Sequence, residues 1–203
     1  MRTLMIAALA SALAAPAFAQ VSTDPADAPA GRYAIDPAHA GVTWKISHFG
    51  LSEYTARFDG VSGELTFDPA NPANSTLNAS VDVTSISTGL DDFDKELTEE
   101  ANFFNAAEYP TIDFTATDLA VTGENTGTMT GDLTLRGVTQ PVTFDVTFYG
   151  GRPNPFKDTQ YRLGFQGVTT IKRSEFGFDH LINFGIGDEV DLIIEAEFGE
   201  VEE

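Results

Sequence analysis

The sequence predicts an all-β fold, an antiparallel eight-stranded barrel carrying a short helical insertion around residues 91–107. Three observations predict it. From Gly41 onward, apolar and polar residues alternate with a period of two, which in a strand sends every second side chain to the same face. Clusters of Gly, Pro, Asn and Asp punctuate the alternating runs as turns. Each run has one apolar face to bury, and a sheet closed on itself buries that face while abolishing its own edges.

The N-terminus comes first. "MRTLMIAALASALAAPAFAQ" has an early basic residue, Arg2, an apolar run from Leu4 to Ala15, and a small-x-small site at Ala17–Ala19. This is the pattern of a secretory signal peptide over residues 1–19, cleaved near Ala19-Gln20, and the run is short for a membrane span. The expected location is the periplasm. Residues 20–31, "QVSTDPADAPAG", lack an apolar period and are expected to form a flexible linker. The barrel is expected over 32–198, and residues 199–203 as a disordered acidic tail. No later segment is apolar enough to cross a membrane as a helix.

Strands follow in order. "HAGVTWKISHFG" puts Val42, Trp44, Ile46 and His48 on one face and Thr43, Lys45 and Ser47 on the other. "TLNASVDV" sorts Leu77, Ala79, Val81 and Val83 against polar neighbours; "TIDFTA" does the same with Ile112, Phe114 and Ala116. "TMTGDLTL" aligns Met129, Gly131, Leu133 and Leu135, and "PVTFDVTFYG" aligns Val142, Phe144, Val146 and Phe148. The last run, "EVDLIIEAEF", alternates Val190, Leu192, Ile194, Ala196 and Phe198 with mostly acidic residues. Between them lie "FDPANPANS", "GENTG", "LRGVTQP", "GGRPNP" and "FGIGD" as turns. "GLDDFDKELTEEANFFNAAEYP" breaks the alternation. It is rich in helix formers, with acids at its start that suit a helix N-terminus, and Pro110 returns the chain to strand.

Charge and composition exclude several functions. The 203 residues carry a formal charge of −20, and loss of residues 1–19 with Arg2 makes it −21. Such a chain cannot neutralise phosphates, so it is not a nucleic-acid binder, and it is repelled from an anionic bilayer surface. With no cysteine, it has no disulfide, no thiolate metal site and no lipidated N-terminal cysteine. The acidic surface favours solubility, and docking of a basic partner is a second reading of it. GxSxG, P-loop, dinucleotide-binding and HExxH patterns do not occur. No catalytic residue and no metal site is therefore assigned.

Five blocks, in order, resemble the YceI-like proteins: "IDPAHAGVTWKISHFGLSEYTARFDGVSGELTFDP", "NFFNAAEYPTIDF", "GDLTLRGVTQPVTFDV", "LGFQGVTTIKRSEFGF" and "GDEVDLIIEAEF". The resemblance spans roughly Tyr33 to Phe198. It implies a lipocalin-like barrel, exported to the periplasm, whose apolar cavity holds a polyisoprenoid lipid such as an isoprenoid quinone. One stretch departs from the family. Where members often carry Arg-Asp and His-Leu pairs before the Phe-Phe block, this chain reads "LDDFDKELTEEANFF", with no histidine.

Eight strands leave an interior just wide enough for side chains or one small ligand. The 16 phenylalanines make that interior greasy in either case. The resemblance makes some of them cavity lining: Phe58, Phe67, Phe114, Phe144, Phe148 and Phe165, together with Val42, Trp44 and Ile46, and with Phe103 and Phe104 covering the mouth. His48 and Arg173 are read as pointing inward. His48 could be a metal ligand, a base, an anchor for a lipid head or a structural residue. Arg173 could close the barrel by stacking on an aromatic such as Trp44, or hold the head. The expected protein is a lipid-binding one without cofactor, whose partner is an isoprenoid lipid; a homodimer is a further partner candidate. The alternatives are an isoprenoid-processing enzyme and an acidic interaction module with a self-filled barrel.

Overall fold

The computed structural model describes residues 20–157 and 160–201, so the expected signal peptide lies outside the described residues. Ten strands form one antiparallel sheet. They are β1 (Gly31–His48), β2 (Ser52–Phe58), β3 (Val61–Phe67), β4 (Thr76–Asp82), β5 (Ile86–Ser87), β6 (Thr111–Val121), β7 (Thr126–Leu135), β8 (Val138–Pro153), β9 (Tyr161–Lys172) and β10 (Ile186–Glu200). β2 and β3 pair with the two halves of β1, Val42 opposite Phe58 and Ala34 opposite Glu64, so together they form one strand interrupted at Asp59-Gly60. β4 and β5 pair with β3 and β2 in the same way. The circuit is thus an eight-stranded barrel, closed where β1 pairs with β10 from Tyr33↔Glu200 to His48↔Ile186.

The alternation read from the sequence is the alternation of inside and outside. Val42, Trp44 and Ile46 face the lumen with Val190, Leu192 and Ile194, their neighbours across the β1–β10 seam. Three turn signals prove shorter than they read. "LRGVTQP" turns only at Arg136-Gly137, both at positive φ, and Val138–Pro141 already belongs to β8. Pro141 is tolerated there because its partner is Asp132 of β7 alone; β9 joins β8 only from Asp145. "GGRPNP" is strand as far as Pro153, and "FGIGD" is strand from Ile186.

The insertion holds one α-helix, α1 (Asp91–Glu99), with Asp91, Asp92 and Asp94 in its first turn. The expected helical span to residue 107 is too long. The Phe104 and Ala106 N–H groups donate to Leu97 and Thr98 carbonyls instead of continuing the helix, and Asn105 turns left-handed at φ 51°.

Both expected flexible ends prove docked in the described residues. In the supposed linker, Ser22 pairs with Gly151, Asp24 caps a turn at Pro25–Asp27, and Ala28 is buried in the core. The Tyr33 hydroxyl, wholly buried, donates to Pro29 O at 2.8 Å, and burial pushes its pKa well above the ordinary phenol value. At the C-terminus, β10 runs to Glu200, whose carboxylate accepts the Tyr161 N–H, and the Val201 N–H donates to Arg32 O. The reason is shared. The base of the barrel needs a cover, and polar segments supply backbone hydrogen bonds that composition does not reveal.

Candidate functional site

The base is solid. Tyr33, Phe67, Phe148, Leu163 and Phe198 pack there as one cluster, with Phe67 stacked on Phe148 at 6.4 Å and edge-on to Tyr33 at 6.3 Å. Above them is a cavity of about 520 Å³, within the ~300–1,000 Å³ usual for small-molecule sites. Of the residues expected to line it, Val42, Trp44, Ile46, His48, Phe58, Phe67, Phe103, Phe104, Phe114, Phe144, Phe165 and Arg173 do. Phe148 does not. It lies on the lumen side of β8, but too near the base, wedged between Phe67 and Phe165. The Phe114 ring lies over β7 and reaches Phe144, 5.2 Å away, because position 131 is glycine: a Cβ there would stand 2.4 Å from that ring.

One end is open. Among the described residues, the exposed members of the lining are His48, Phe49 and Glu96, all at the end where β1 meets β2 and where α1 sits. His48 is therefore at the mouth, not deep inside. Its imidazole meets the Phe49 ring edge-on at 4.5 Å, with the Tyr54 ring at 6.4 Å. Phe103, from the turns after α1, meets His180 at 5.2 Å, and Phe104 meets Phe58 at 5.3 Å. The sequence reading missed Tyr54, Phe93, Leu97, Phe178, His180 and Leu181, which complete this rim. Phe93 and Leu97 were legible as four apart on a helix. Tyr54 was legible too, on the face of β2 that carries Phe58, whereas Phe178, His180 and Leu181 sit on irregular chain without any period.

Arg173 is buried, but it does not stack on Trp44. Its guanidinium lies 5.5 Å from the Phe178 ring, and Arg136 lies 5.1 Å from the same ring. Arg173 donates to the carbonyls of Gly187 (2.8 Å), Phe178 (3.0 Å), His180 (2.7 Å) and Ile186 (3.4 Å). Burial lowers its pKa from the usual arginine value, and the charges of Asp188 and Asp179 counteract this. Four donors are thus spent on the loop between β9 and β10 and on the first two residues of β10, which makes Arg173 the strut of the rim. Asp188 secures the same loop through Ser174 N–H and Oγ. Burial raises its pKa, and those donors with the Arg173 and Lys172 charges outweigh that and lower it.

One polar atom in the wall is unsatisfied. Trp44 Nε1 is buried and has no hydrogen-bond partner among the described residues. On the outer wall, a bulge in β1 at residues 36–39 brings Asp36, His39 and Glu197 within 4.8 Å of one another. A cation already sits there: Arg162 bonds Asp36 Oδ2 and lies 3.5 Å from Glu197, while His39 Nδ1 is 3.0 Å from the same Asp36 oxygen. That group is an ion-pair network.

Fold and site define a closed antiparallel barrel with an apolar internal cavity and one aromatic mouth. The YceI-like domain model matches residues 33–198, and the chain belongs to that family. It is 39% identical over 171 residues to a UPF0312 protein of Ectopseudomonas mendocina, covering 83% of this chain and 87% of that one. Burkholderia cenocepacia BcnA superposes with a TM-score of 0.69 at 26% identity, over 80% of this chain and 98% of the other. A polyisoprenoid-binding domain from Saccharophagus degradans shares the fold, with a TM-score of 0.63 at 17% identity, over 85% of this chain and all of that one. Among the described residues, no helix is long and apolar enough to cross a membrane.

Proposed function

We propose that this chain is an exported, periplasmic binding protein that sequesters a polyisoprenoid lipid in its barrel, and that it acts as a carrier rather than an enzyme. The carrying observation is the cavity, about 520 Å³ with an almost wholly apolar wall. Family membership and the polyisoprenoid-binding domain of like fold support the choice of ligand. Each five-carbon unit buried contributes about 3–4 kcal/mol gross at ~0.8 per methylene. Ordering a flexible chain offsets much of it. Such contacts are non-directional, so chain length and girth govern selection more than the head does.

The head lies toward the mouth, where the polar groups of the lining collect. A ligand oxygen near Trp44 would satisfy its unpartnered N–H, which favours a lipid with a compact acceptor, such as a quinone carbonyl, over a bare hydrocarbon. Extraction of the protein purified from its exporting cells, with mass spectrometry of the organic phase, tests the proposal. One isoprenoid per chain is the expected result; a protein that neither carries nor takes up an isoprenoid overturns it. Intact mass of the exported form, beginning near Gln20, tests the localisation; retention of Met1–Ala19 refutes it.

A further inference from the structure

The end at which the cavity opens exposes four large apolar tips, apart from those such as Val121, Tyr149 and Phe156 toward the other end. Phe49 is 53% exposed, Leu51 85%, Leu90 62% and Phe184 74%. Phe49 and Leu51 sit in the β1–β2 turn, Leu90 just before α1, and Phe184 in the loop between β9 and β10 that Arg173 braces. Three separate segments thus supply them around one mouth.

The turn carries a second observation. The Leu51 N–H donates to His48 O at 3.0 Å, with Phe49 and Gly50 between them at φ 57° and 66°. This is a type I′ hairpin turn, whose first central position suits Asn, Asp or Gly. A bulky aromatic with positive φ is an outlier that costs stability, and one that is half exposed recovers little by packing. The opposing loop accommodates the ring. The Phe49 N–H donates to Gly185 O at 2.8 Å, and a Cβ on Gly185 would stand 2.9 Å from the Phe49 ring. The fold tolerates Phe49 without needing it.

Charge narrows the choice of surface. The mouth is ringed by Glu53, Asp91, Asp92, Glu96 and Asp179, all exposed. An anionic surface would be repelled by this collar, whereas a zwitterionic one would accept the apolar tips without penalty. A protein cap would close the opening. A lipid surface both covers the tips and is the phase from which a water-insoluble ligand must come.

We propose that Phe49, Leu51, Leu90 and Phe184 form a lip that inserts into a zwitterionic lipid surface, so that ligand passes between bilayer and lumen without crossing water. This rests on the lumen holding a lipid, so uptake and docking are measured separately. Flotation with phosphatidylcholine vesicles reads docking. Mass spectrometry after loading with a prenyl lipid in detergent reads the lumen. The test variant is F49N/F184S, in which Asn suits the turn, and the control is F156S, which removes a 92% exposed phenylalanine at the opposite end. Flotation is expected to fall by about tenfold or more in F49N/F184S and hardly at all in F156S, because only buried apolar area contributes. In L51S/F184S, whose two changed positions lie outside the cavity lining, transfer of loaded lipid to vesicles should slow in parallel while the detergent-loaded content stays unchanged. Adding phosphatidylglycerol should weaken binding at low salt, and salt should restore it. Equal flotation of wild type and F49N/F184S, or stronger binding to anionic vesicles at low salt, overturns the lip. Absence of flotation by the wild type overturns it too and points to a protein at the mouth. Vesicle binding by a protein that cannot be loaded leaves the lip standing and refutes the lipid-filled lumen.

Discussion

Arg173 Nη1 donates to the carbonyl oxygen of His180 at 2.7 Å, so a buried cation on the barrel's inner side holds the backbone of its own rim. The loop between β9 and β10 has little regular structure, and this strut gives it a defined position. Arg173→Met should therefore strand several carbonyls at once and cost about 3 kcal/mol or more. A lowered melting temperature and faster protease cleavage between Gly177 and Gly187 would show it. An unchanged loop would mean the strut is dispensable.

The inside–outside assignment has a sharp test. Phe114→Glu or Phe144→Glu places a carboxylate in an apolar lumen and should unfold the barrel or abolish lipid uptake. Thr115→Glu, on the outer face of the same strand, should be tolerated. Circular dichroism and a lipid-loading assay suffice, and equal damage at 114 and 115 would contradict the assignment.

Trp44→Phe removes a buried N–H that has no partner among the described residues. If a ligand oxygen uses it, binding of a headed lipid should weaken by about 1 kcal/mol while a head-free prenyl chain binds as before. His48→Leu, at an exposed position, should leave thermal stability unchanged and shift only the headed lipid. A loss of melting temperature in His48→Leu would assign the imidazole to the fold instead.

Acid should loosen the outer wall. The hydrogen bond from Arg162 is the main reason that the Asp36 carboxyl is lowered from its ordinary 3.8 to about 2, with His39 and the Ala38 N–H assisting against burial. A depressed folded-state pKa stabilises the fold above the ordinary value and loses that contribution as pH falls toward the folded one. The stability difference between wild type and Asp36→Asn should thus be constant above about pH 4 and shrink toward pH 2. Urea midpoints across that range would show it; a constant difference at all pH values would mean the pair does not titrate.

The barrel was legible because alternation is a direct record of which face is wet. Trp44 and Leu192, far apart in sequence, carry the same record and meet across the seam. Part of the mouth was not legible, because Phe178, His180 and Leu181 lie on chain where no period applies: Arg173 holds the carbonyls of the first two, and the N–H groups of Phe184 and Ile186 hold that of Leu181. Phe148 shows a further limit: alternation gives the side of the sheet but not the height along the axis, and that height separates lining from plug. The docked ends escaped notice for another reason. Pro29 holds Tyr33 through a backbone carbonyl, which every residue possesses.

The seam between β1 and β10 also dictates when the protein can work. β1 is the first of the ten strands to be made and β10 the last, yet the wall is incomplete until Tyr33 lies beside Glu200. Contacts so distant in sequence form late and slowly. A nascent chain therefore has no lumen until β10 is free to pair: before then it cannot hold cargo, and the wall stays open along β1. Loading must follow the arrival of β10, wherever that happens.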